Sequence, residues 1–329
     1  MRLPGGKLEF VRNVFIRDLP YLVVGTLGSE ERCTRVPIRM AAPGGQGLDL
    51  LQVNDPPGQY PNFTDLCRQK TEANRERLEA AGVGVTPREA ELLASEDELL
   101  DCGRWLVDEA DGRAVILDIS SMPKRFFCFL LKHFVRSEAI HSLIVTYTSV
   151  APQSYTAHQL ALNPLQCDLL PGYAVGHKEV GGIVISVGFE PLSVASLFDM
   201  FSGEVKAEDV KCILPYPPNG IGSIRTWRTL RQVMPSAPQA SPRLLVVSAW
   251  DAERVSRVCE QWGAAKGRLV LAPFGPKPHT LGMALSALAH GFGLYYTQPQ
   301  VYDPNYSQGA GNSYAYVVKW RSVNCFDRP

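Results

Sequence analysis

The second half of this 329-residue chain repeats landmarks of the first half in the same order. An apolar run ends in a Gly-x-Glu turn at Gly28–Glu30 and again at Gly188–Glu190. A later apolar run leads into a Pro-Lys pair at Pro123–Lys124 and again at Pro276–Lys277. Each half then closes on an apolar run ending in Tyr-Thr (LIVTYT and GLYYT). We interpret this order as an internal duplication, and we expect a ligand to bind where the two copies meet.

The pattern within each half predicts the fold class. Short, nearly continuous apolar runs alternate with helical patterns, which is typical of a parallel sheet covered by helices on both faces. We therefore predict an α/β protein with two tandem Rossmann-like domains, each a mainly parallel sheet with helices on both faces. The predicted boundaries are residues 1–160 for the first domain, 161–180 for a linker and 181–329 for the second domain.

The hydrophobic periodicity also predicts individual elements. In the first half, we expect strands at 21–27, 48–53, 83–88, 114–118 and 142–148, and helices at 65–81, 96–110 and 124–135. In the second half, we expect strands at 183–187, 211–214, 244–248, 268–272, 292–297 and 314–320, and helices at 191–201, 223–233, 251–265 and 280–290.

Composition limits the function classes. Lys plus Arg and Asp plus Glu both number 33, so no global basic field favours general nucleic-acid binding. The apolar runs are shorter than the roughly 20 residues of a membrane span, and the chain opens without a signal-peptide pattern. The eight cysteines form no Cys-x-x-Cys pair and the six histidines are scattered. We therefore expect a cytoplasmic protein with no metal site and no bound cofactor.

The Gly-x-Glu turns are the first candidate site. Ligands of open parallel sheets bind outside the carboxyl ends of the strands, and a glycine there allows close approach of the backbone. This interpretation selects Gly28, Glu30 and Arg32, with Gly188 and Glu190 in the second copy. The alternative is an ordinary strand–helix turn in which the glutamates cap local amides.

The segment that follows the apolar run AVILD is the second candidate site. Hydroxyl groups and exposed amides hold phosphate oxygens, and a nearby cation supplies the countercharge. This interpretation selects Asp118, Ser120, Ser121, Lys124 and Arg125. In the alternative, Asp118 and the serines only cap the next helix, and the two cations are solvated.

Three further residues complete the candidate set. In the second copy the Asp and the serine pair are replaced, but Lys277 is kept and His279 is added. Thr148 ends the Tyr-Thr strand of the first half, where neighbouring tyrosines are placed to stack on a base. Half-buried packing is the alternative role for these aromatic residues.

The segment ILDISSMPKRF resembles the signature loop of CRISPR-associated Rossmann-fold (CARF) sensor domains. That loop consists of a strand ending in Asp or Asn, small hydroxyl or glycine residues, and a basic residue that opens a helix. The resemblance covers this loop and the Gly-x-Glu turn. Ile119–Met122 replaces the family's usual Thr-Gly-Gly-Thr core. It implies binding of a cyclic oligonucleotide between two copies, and either an effector on a partner protein or a ring nuclease that degrades the ligand.

Three functions remain open at this point. The first is a non-catalytic recognition or sensor subunit that binds a nucleotide-like ligand or a protein partner at the inter-domain cleft, in a bacterial antiviral defence system. The second is a nucleotide-acting hydrolase, with Asp118 orienting water and Lys124 on the phosphate. The third is a scaffold whose loops only cap helices.

Overall fold

The computed structural model describes residues 3–40, 47–55, 61–151, 161–173, 179–188, 194–216, 231 and 243–327. The chain divides into two compact units. The first unit combines Arg2–Leu162 with Gln300–Pro329, and the second unit contains Asn163–Pro299. Two chain segments that are far apart in sequence therefore build the first unit.

The strands and helices of the described residues follow the alternation that the sequence predicts. The strands are β1 (Gly5–Lys7), β2 (Tyr21–Leu27), β3 (Gly47–Asn54), β4 (Arg88–Glu91), β5 (Ala114–Asp118), β6 (Leu143–Thr148), β7 (Ala161–Leu169), β8 (Gly182–Ser186), β9 (Val210–Tyr216), β10 (Arg243–Ser248), β11 (Leu269–Pro273), β12 (Gly293–Tyr302), β13 (Ser313–Trp320) and β14 (Val323–Asn324). The α-helices are α1 (Leu8–Val11), α2 (Arg35–Met40), α3 (Pro61–Ala80), α4 (Glu96–Ala110), α5 (Lys124–Arg136), α6 (Val194–Met200), α7 (Ala252–Lys266) and α8 (Lys277–His290).

The first unit contains a mixed sheet with the strand order β1-β13-β6-β5-β2-β3-β4, and β14 also pairs with β13. The strands from β6 to β4 are parallel to one another. β13 is antiparallel to β6, and β1 and β14 are antiparallel to β13. In chain order, the parallel strands are arranged third, second, first, fourth, fifth, which is the Rossmann order.

The second unit contains a sheet with the order β10-β9-β8-β11-β12-β7. The strands from β10 to β12 pair in parallel. Their order is again third, second, first, fourth, fifth. The predicted α/β class with two mainly parallel sheets is therefore confirmed, and the shared strand order is what a duplicated module would have.

Two strands, β7 and β13, do not belong to the sheet whose strands come directly before them in the chain. β7 follows β6 in the chain but extends the second sheet beside β12, whereas β13 follows β12 but pairs with β6. The predicted boundaries are wrong at these two places: the linker 161–180 contains β7, and the domain 181–329 contains β13, a strand of the first sheet. The periodicity predicts the strand at 314–320 but not β7, which lies in the predicted linker. For both strands, the unpaired sheet edge that is filled depends on the three-dimensional fold.

Most element positions agree with the predictions within a few residues. Helix α4 begins where predicted because the Ser95 hydroxyl accepts the Glu98 N–H while the Glu98 carboxylate accepts the Ser95 N–H, which forms a capping box. The strand expected at 83–88 lies at β4 instead. The helix expected at 223–233 lies outside the described residues, apart from residue 231. Within the described part of the chain, no helix is both long enough and apolar enough to cross a membrane.

The core of the first unit lies against the central strands. Every residue of β5 and β6 is buried, and the side chains of Phe126, Phe127 and Phe134 on α5 are among the largest that are fully buried. Ala315 and Val317 of β13 join the same core cluster as Ile116 and Ile144. The C-terminal strand is therefore part of the core rather than an added edge.

We predict that removing β13 disrupts the first unit. A chain that ends at Ala310 loses the hydrogen-bond partner of β6 and the five buried apolar side chains of residues 315, 316, 317, 318 and 326. Its melting temperature should therefore fall by more than about 10 °C, or its cooperative transition should disappear. Differential scanning calorimetry measures this, with a chain that ends at Asp327 as the matched control. Melting of the Ala310 chain within about 2 °C of that control would contradict the assignment of β13.

Candidate functional site

The carboxylate of Asp118 organises the loop at the end of β5. Its Oδ1 accepts hydrogen bonds from the Ser120 N–H at 3.2 Å, the Ser120 hydroxyl at 2.5 Å and the Thr146 hydroxyl at 3.3 Å. The residue is only 2% exposed. Asp118 is therefore committed to shaping the loop. It does not cap the next helix as the alternative predicts, because Pro123 is the N-cap of α5 and no side chain caps that helix.

A chain of hydroxyl groups extends from Ser120 across the sheet. The Ser120 hydroxyl oxygen accepts the Thr148 N–H at 2.7 Å, and the hydroxyls of Thr148 and Ser313 are 2.9 Å apart. All three residues are buried. Ser120 and Thr148 thus connect the ends of β5 and β6 to the start of β13, and they do not face solvent.

Ser121 is the partly exposed member of this loop. Its hydroxyl lies 2.7 Å from the Thr26 hydroxyl and also donates to the Thr26 carbonyl at 3.3 Å. Thr26 belongs to β2, and β2 and β5 are the neighbours at which the strand order reverses. Ser121 therefore lies at the topological switch point, where ligands of open α/β sheets bind.

The two cations that follow the loop, Lys124 and Arg125, are less accessible to a ligand than the sequence predicts. Lys124 is 8% exposed, and burial lowers the pKa of its ammonium group to about 7. Arg125 is partly exposed, and its guanidinium donates to the Ala94 carbonyl at 2.7 Å. Arg125 thereby ties the start of α5 to the segment before α4. The sequence interpretation placed both cations on a ligand phosphate, but the structure commits Lys124 to the interior.

Glu30 and Arg32 form an ion pair that contacts the loop before β13. Their side chains are 2.6 Å apart, and Arg32 is buried. The Tyr306 hydroxyl accepts from Arg32 at 2.9 Å and donates to Glu30 at 2.8 Å. The Tyr147 hydroxyl also accepts from Arg32, at 3.4 Å. The sequence places Glu30 and Arg32 together correctly, but it does not reveal that Tyr306 bridges them.

Gly28 does not need glycine for its backbone conformation, because its φ is not positive. Among the described residues, a Cβ at this position would meet no atom within 4 Å. Its carbonyl accepts from the Asn74 side chain at 2.8 Å. Gly28 therefore borders open space at the end of β2, beside the switch point.

A further cluster, which sequence reasoning missed, surrounds the end of β3. Burial raises the pKa of the Asp55 carboxyl to about 6, opposed by a hydrogen bond from the Tyr302 backbone. Burial likewise raises the pKa of the Cys67 thiol to about 11, with the negative charge of Asp55 adding to the effect. Lys70 donates to the Pro304 carbonyl at 2.5 Å. The available signal was the position of Asp55 directly after a strand.

The candidate residues of the second unit differ from those of the first in burial and in hydrogen-bond partners. His279 is fully buried, with Nε2 2.8 Å from the Ser248 carbonyl and Nδ1 2.9 Å from the Ser186 hydroxyl. Because only an N–H can pair with a carbonyl, Nε2 carries the proton and the ring is fixed structurally. Lys277 is partly exposed at the start of α8, and Glu190 lies outside the described residues.

The two switch points are not equivalent. In the second sheet, β8 and β11 take the positions that β2 and β5 take in the first. A Cβ at Gly188 would lie 2.0 Å from the Phe274 carbonyl, and a Cβ at Gly275 would lie 2.0 Å from the Ser186 hydroxyl. Direct backbone packing therefore fills the second switch point, while the matching Gly28 borders open space.

The polar groups at the first switch point differ in how accessible they are. Its exposed groups are hydroxyls and an ion-paired carboxylate, whereas Asp118 already accepts three hydrogen bonds on one oxygen. The Cys33 thiol nearby has a pKa raised to about 12 by burial, so it is protonated at neutral pH. Among the residues that the structure describes, no group of three His, Cys, Asp or Glu side chains is placed to hold a metal ion.

Comparisons with known proteins do not assign a family. No family model matches the chain, and no curated protein matches it. Among solved structures, the chain is similar to the cytoplasmic domain of a prokaryotic cation chloride cotransporter, with 10% identity over 86% of this chain and 96% of that chain and a TM-score of 0.25. It is also similar to a universal stress protein from Archaeoglobus fulgidus DSM 4304, with 10% identity over 87% of this chain and 98% of that chain and a TM-score of 0.24. At these values neither likeness bears on function.

We predict that Ser120→Ala destabilises the first unit by about 2 kcal/mol, because it leaves the buried Thr148 N–H unpaired and removes a donor from Asp118. Ser121→Ala is the matched control and should cost about 1 kcal/mol or less, because water can replace its hydroxyl. Urea denaturation of both variants measures the difference. Equal losses of stability would contradict the structural role of the Ser120 hydroxyl.

We predict that Asp55 makes the free energy of unfolding fall as the pH rises. The folded-state pKa, raised to about 6, lies above the unfolded value of about 3.9, so the unfolded state ionises first and stability is lost between pH 4 and 6. Asp55→Asn should therefore be more stable than wild type by about 1–2 kcal/mol at pH 7.5, with no difference at pH 4. Urea denaturation at both pH values tests this, with the exposed Asp65→Asn as control. An Asn variant with the wild-type pH dependence would overturn the prediction.

Proposed function

We propose that this protein is a recognition subunit that binds a nucleotide-like ligand at the carboxyl edge of its first sheet and does not turn it over. The observation that carries the proposal is the open switch point between β2 and β5. It is lined by the partly exposed Ser121 and bordered by Gly28, whereas the equivalent place in the second sheet is filled by backbone. Ligands of open α/β sheets occupy this position.

The groups around this opening suit a ligand rich in hydroxyl and phosphate oxygens. On ligand binding, the Ser121 hydroxyl exchanges its 3.3 Å bond to the Thr26 carbonyl for one to a phosphate oxygen, and the partly exposed Arg125 at the same loop supplies positive charge. Glu30 accepts hydrogen bonds from ribose hydroxyls, as carboxylates near strand ends do in nucleotide-binding sheets. Tyr306 adds an aromatic side chain beside Glu30.

The engagement of Asp118 supports binding without catalysis. A water-orienting carboxylate needs an oxygen within reach of the water, but the Oδ1 of Asp118 already has three donors and the residue is buried. Lys124 is held in the interior as well. No observation favours the hydrolase that would use these two residues.

The ligand class, the protein partner and the biological role belong to the same proposal. We retain the likeness of the loop to CARF-like sensors, with a cyclic oligonucleotide as the leading ligand and a protein partner that carries the effector activity. A cytoplasmic role in bacterial antiviral defence follows from that likeness. The repeated strand order of the two sheets supports a tandem sensor architecture.

The test is a panel of mononucleotides and cyclic oligonucleotides, read by thermal shift and by mass spectrometry of the ligand. We predict that one member raises the melting temperature and is recovered unchanged. Gly28→Leu should fill the opening and weaken that ligand by about tenfold or more, without lowering the melting temperature of the free protein. Gly203→Leu is the matched control, because a Cβ there also meets nothing within 4 Å.

Three results would contradict the proposal. The first is a panel without any shift. The second is a ligand that is cleaved, in which case loss of cleavage in Asp118→Ala would establish the hydrolase instead. Equal affinity of the Gly28→Leu and Gly203→Leu variants would remove the switch point as the site.

A further inference from the structure

Three cations surround the indole of Trp262 in the second unit. Trp262 lies on α7 and is only 4% exposed. The ammonium nitrogen of Lys211 is 4.2 Å from the ring centre, the guanidinium carbon of Arg243 is 5.0 Å from it, and the ammonium nitrogen of Lys266 is 5.6 Å from it. One aromatic ring is therefore shared by three positive charges.

Only one of these charges is neutralised by a carboxylate. Lys266 pairs with Asp209 at 2.5 Å. Within the described ranges, Lys211 and Arg243 have no carboxylate within ion-pair distance. They are also direct partners in the β9–β10 register, where like charges are destabilising.

The surroundings do not offset this positive charge. The pKa of Lys211 is lowered, first by burial and then by the charges of Arg243 and Arg254. The nearby carboxylates of α7 are engaged elsewhere, Glu253 with Arg257 and Glu260 with His290. Since the whole chain is neutral, with 33 cationic and 33 acidic side chains, a local excess of this kind is not a consequence of overall composition.

We infer that Lys211 and Arg243 form a binding site for a phosphate-bearing anion at the beginning of β9 and β10. Arginine binds phosphate oxygens in a bidentate manner and lysine acts as a point charge, and an anion between them relieves their mutual repulsion. The indole holds the cations against its face, so the ring is not available to stack on a base. The site therefore recognises phosphate charge without base specificity, as a free pyrophosphate group or as a nucleic-acid backbone.

This site is independent of the proposed function. It belongs to the second unit and lies at the amino ends of its strands, whereas the proposed nucleotide-like ligand binds at the carboxyl edge of the first sheet. Gly28→Leu therefore leaves binding at Lys211 and Arg243 unchanged, and failure of one proposal does not imply failure of the other.

The test uses the full chain and two probes, inorganic pyrophosphate in isothermal titration calorimetry and a labelled short single-stranded oligonucleotide in fluorescence anisotropy. We expect Lys211→Ala and Arg243→Ala each to weaken the bound probe by about tenfold, with an affinity that falls as salt rises. Arg88→Ala is the matched control, because Arg88 lies 4.7 Å from the ring centre of Trp105 in the first unit. This control removes one cation from a different indole and should leave the affinity for both probes unchanged.

The outcomes distinguish a free phosphate ligand from a nucleic-acid backbone and also test whether the site exists. Binding of pyrophosphate alone identifies a free phosphate ligand, and tighter binding of the oligonucleotide identifies a nucleic-acid backbone. Arg243→Ala should keep or raise the melting temperature, because it removes a repulsion. Failure of both probes to bind wild type, unchanged affinity in both variants, or a melting temperature lowered by several degrees in Arg243→Ala would overturn the inference.

Discussion

The antiparallel pairing of β13 with β6 is the contact on which the first unit depends. It brings a strand near the C-terminus against a strand formed some 170 residues earlier, in a register that places Ser313 opposite Thr148 and Ala315 opposite Thr146. Without it, the buried strand β6 would be an open edge, which is costly in a sheet. The same pairing fixes the loop that carries Tyr306, because that loop leads directly into β13. The ion pair of Glu30 and Arg32 is therefore held by a residue from the opposite end of the sequence.

The polar network at the carboxyl edge shows why acidic and hydroxyl residues in a loop do not by themselves indicate catalysis. Asp118, Ser120 and Thr148 satisfy one another's hydrogen bonds in a buried setting. An unpaired polar group there would lower the free energy of unfolding by about 1–3 kcal/mol. What remains accessible at the edge is Ser121 and the space beside Gly28. In the second sheet, close packing at Gly188 and Gly275 fills the equivalent place.

The sequence predicts the local structure well and the long-range pairing poorly. Helix α4 and strands β2 and β5 appear where periodicity and capping place them, since those signals depend on neighbouring residues. The sheet that receives β7 or β13 depends on edges built far away in the chain, so no local pattern contains it. The same holds within the site: the turn containing Glu30 and Arg32 is readable from the sequence, but the role of Tyr306 is not. Lys124 and His279 look like ligand-binding groups in the sequence because burial cannot be read from residue type alone.

The central claim is that the C-terminal strand completes the first sheet and not the second, and a cross-link tests it most directly. The hydroxyl oxygens of Thr148 and Ser313 are 2.9 Å apart, so the Thr148→Cys/Ser313→Cys variant should form a disulfide under mild oxidation, identified by mass spectrometry of the linked peptides. Thr297 ends the corresponding Tyr-Thr run of the second half, and β12 is paired with β11 and β7. The Thr297→Cys/Ser313→Cys variant should therefore stay unlinked. A disulfide in the Thr297 variant, together with none in the Thr148 variant, would contradict the account.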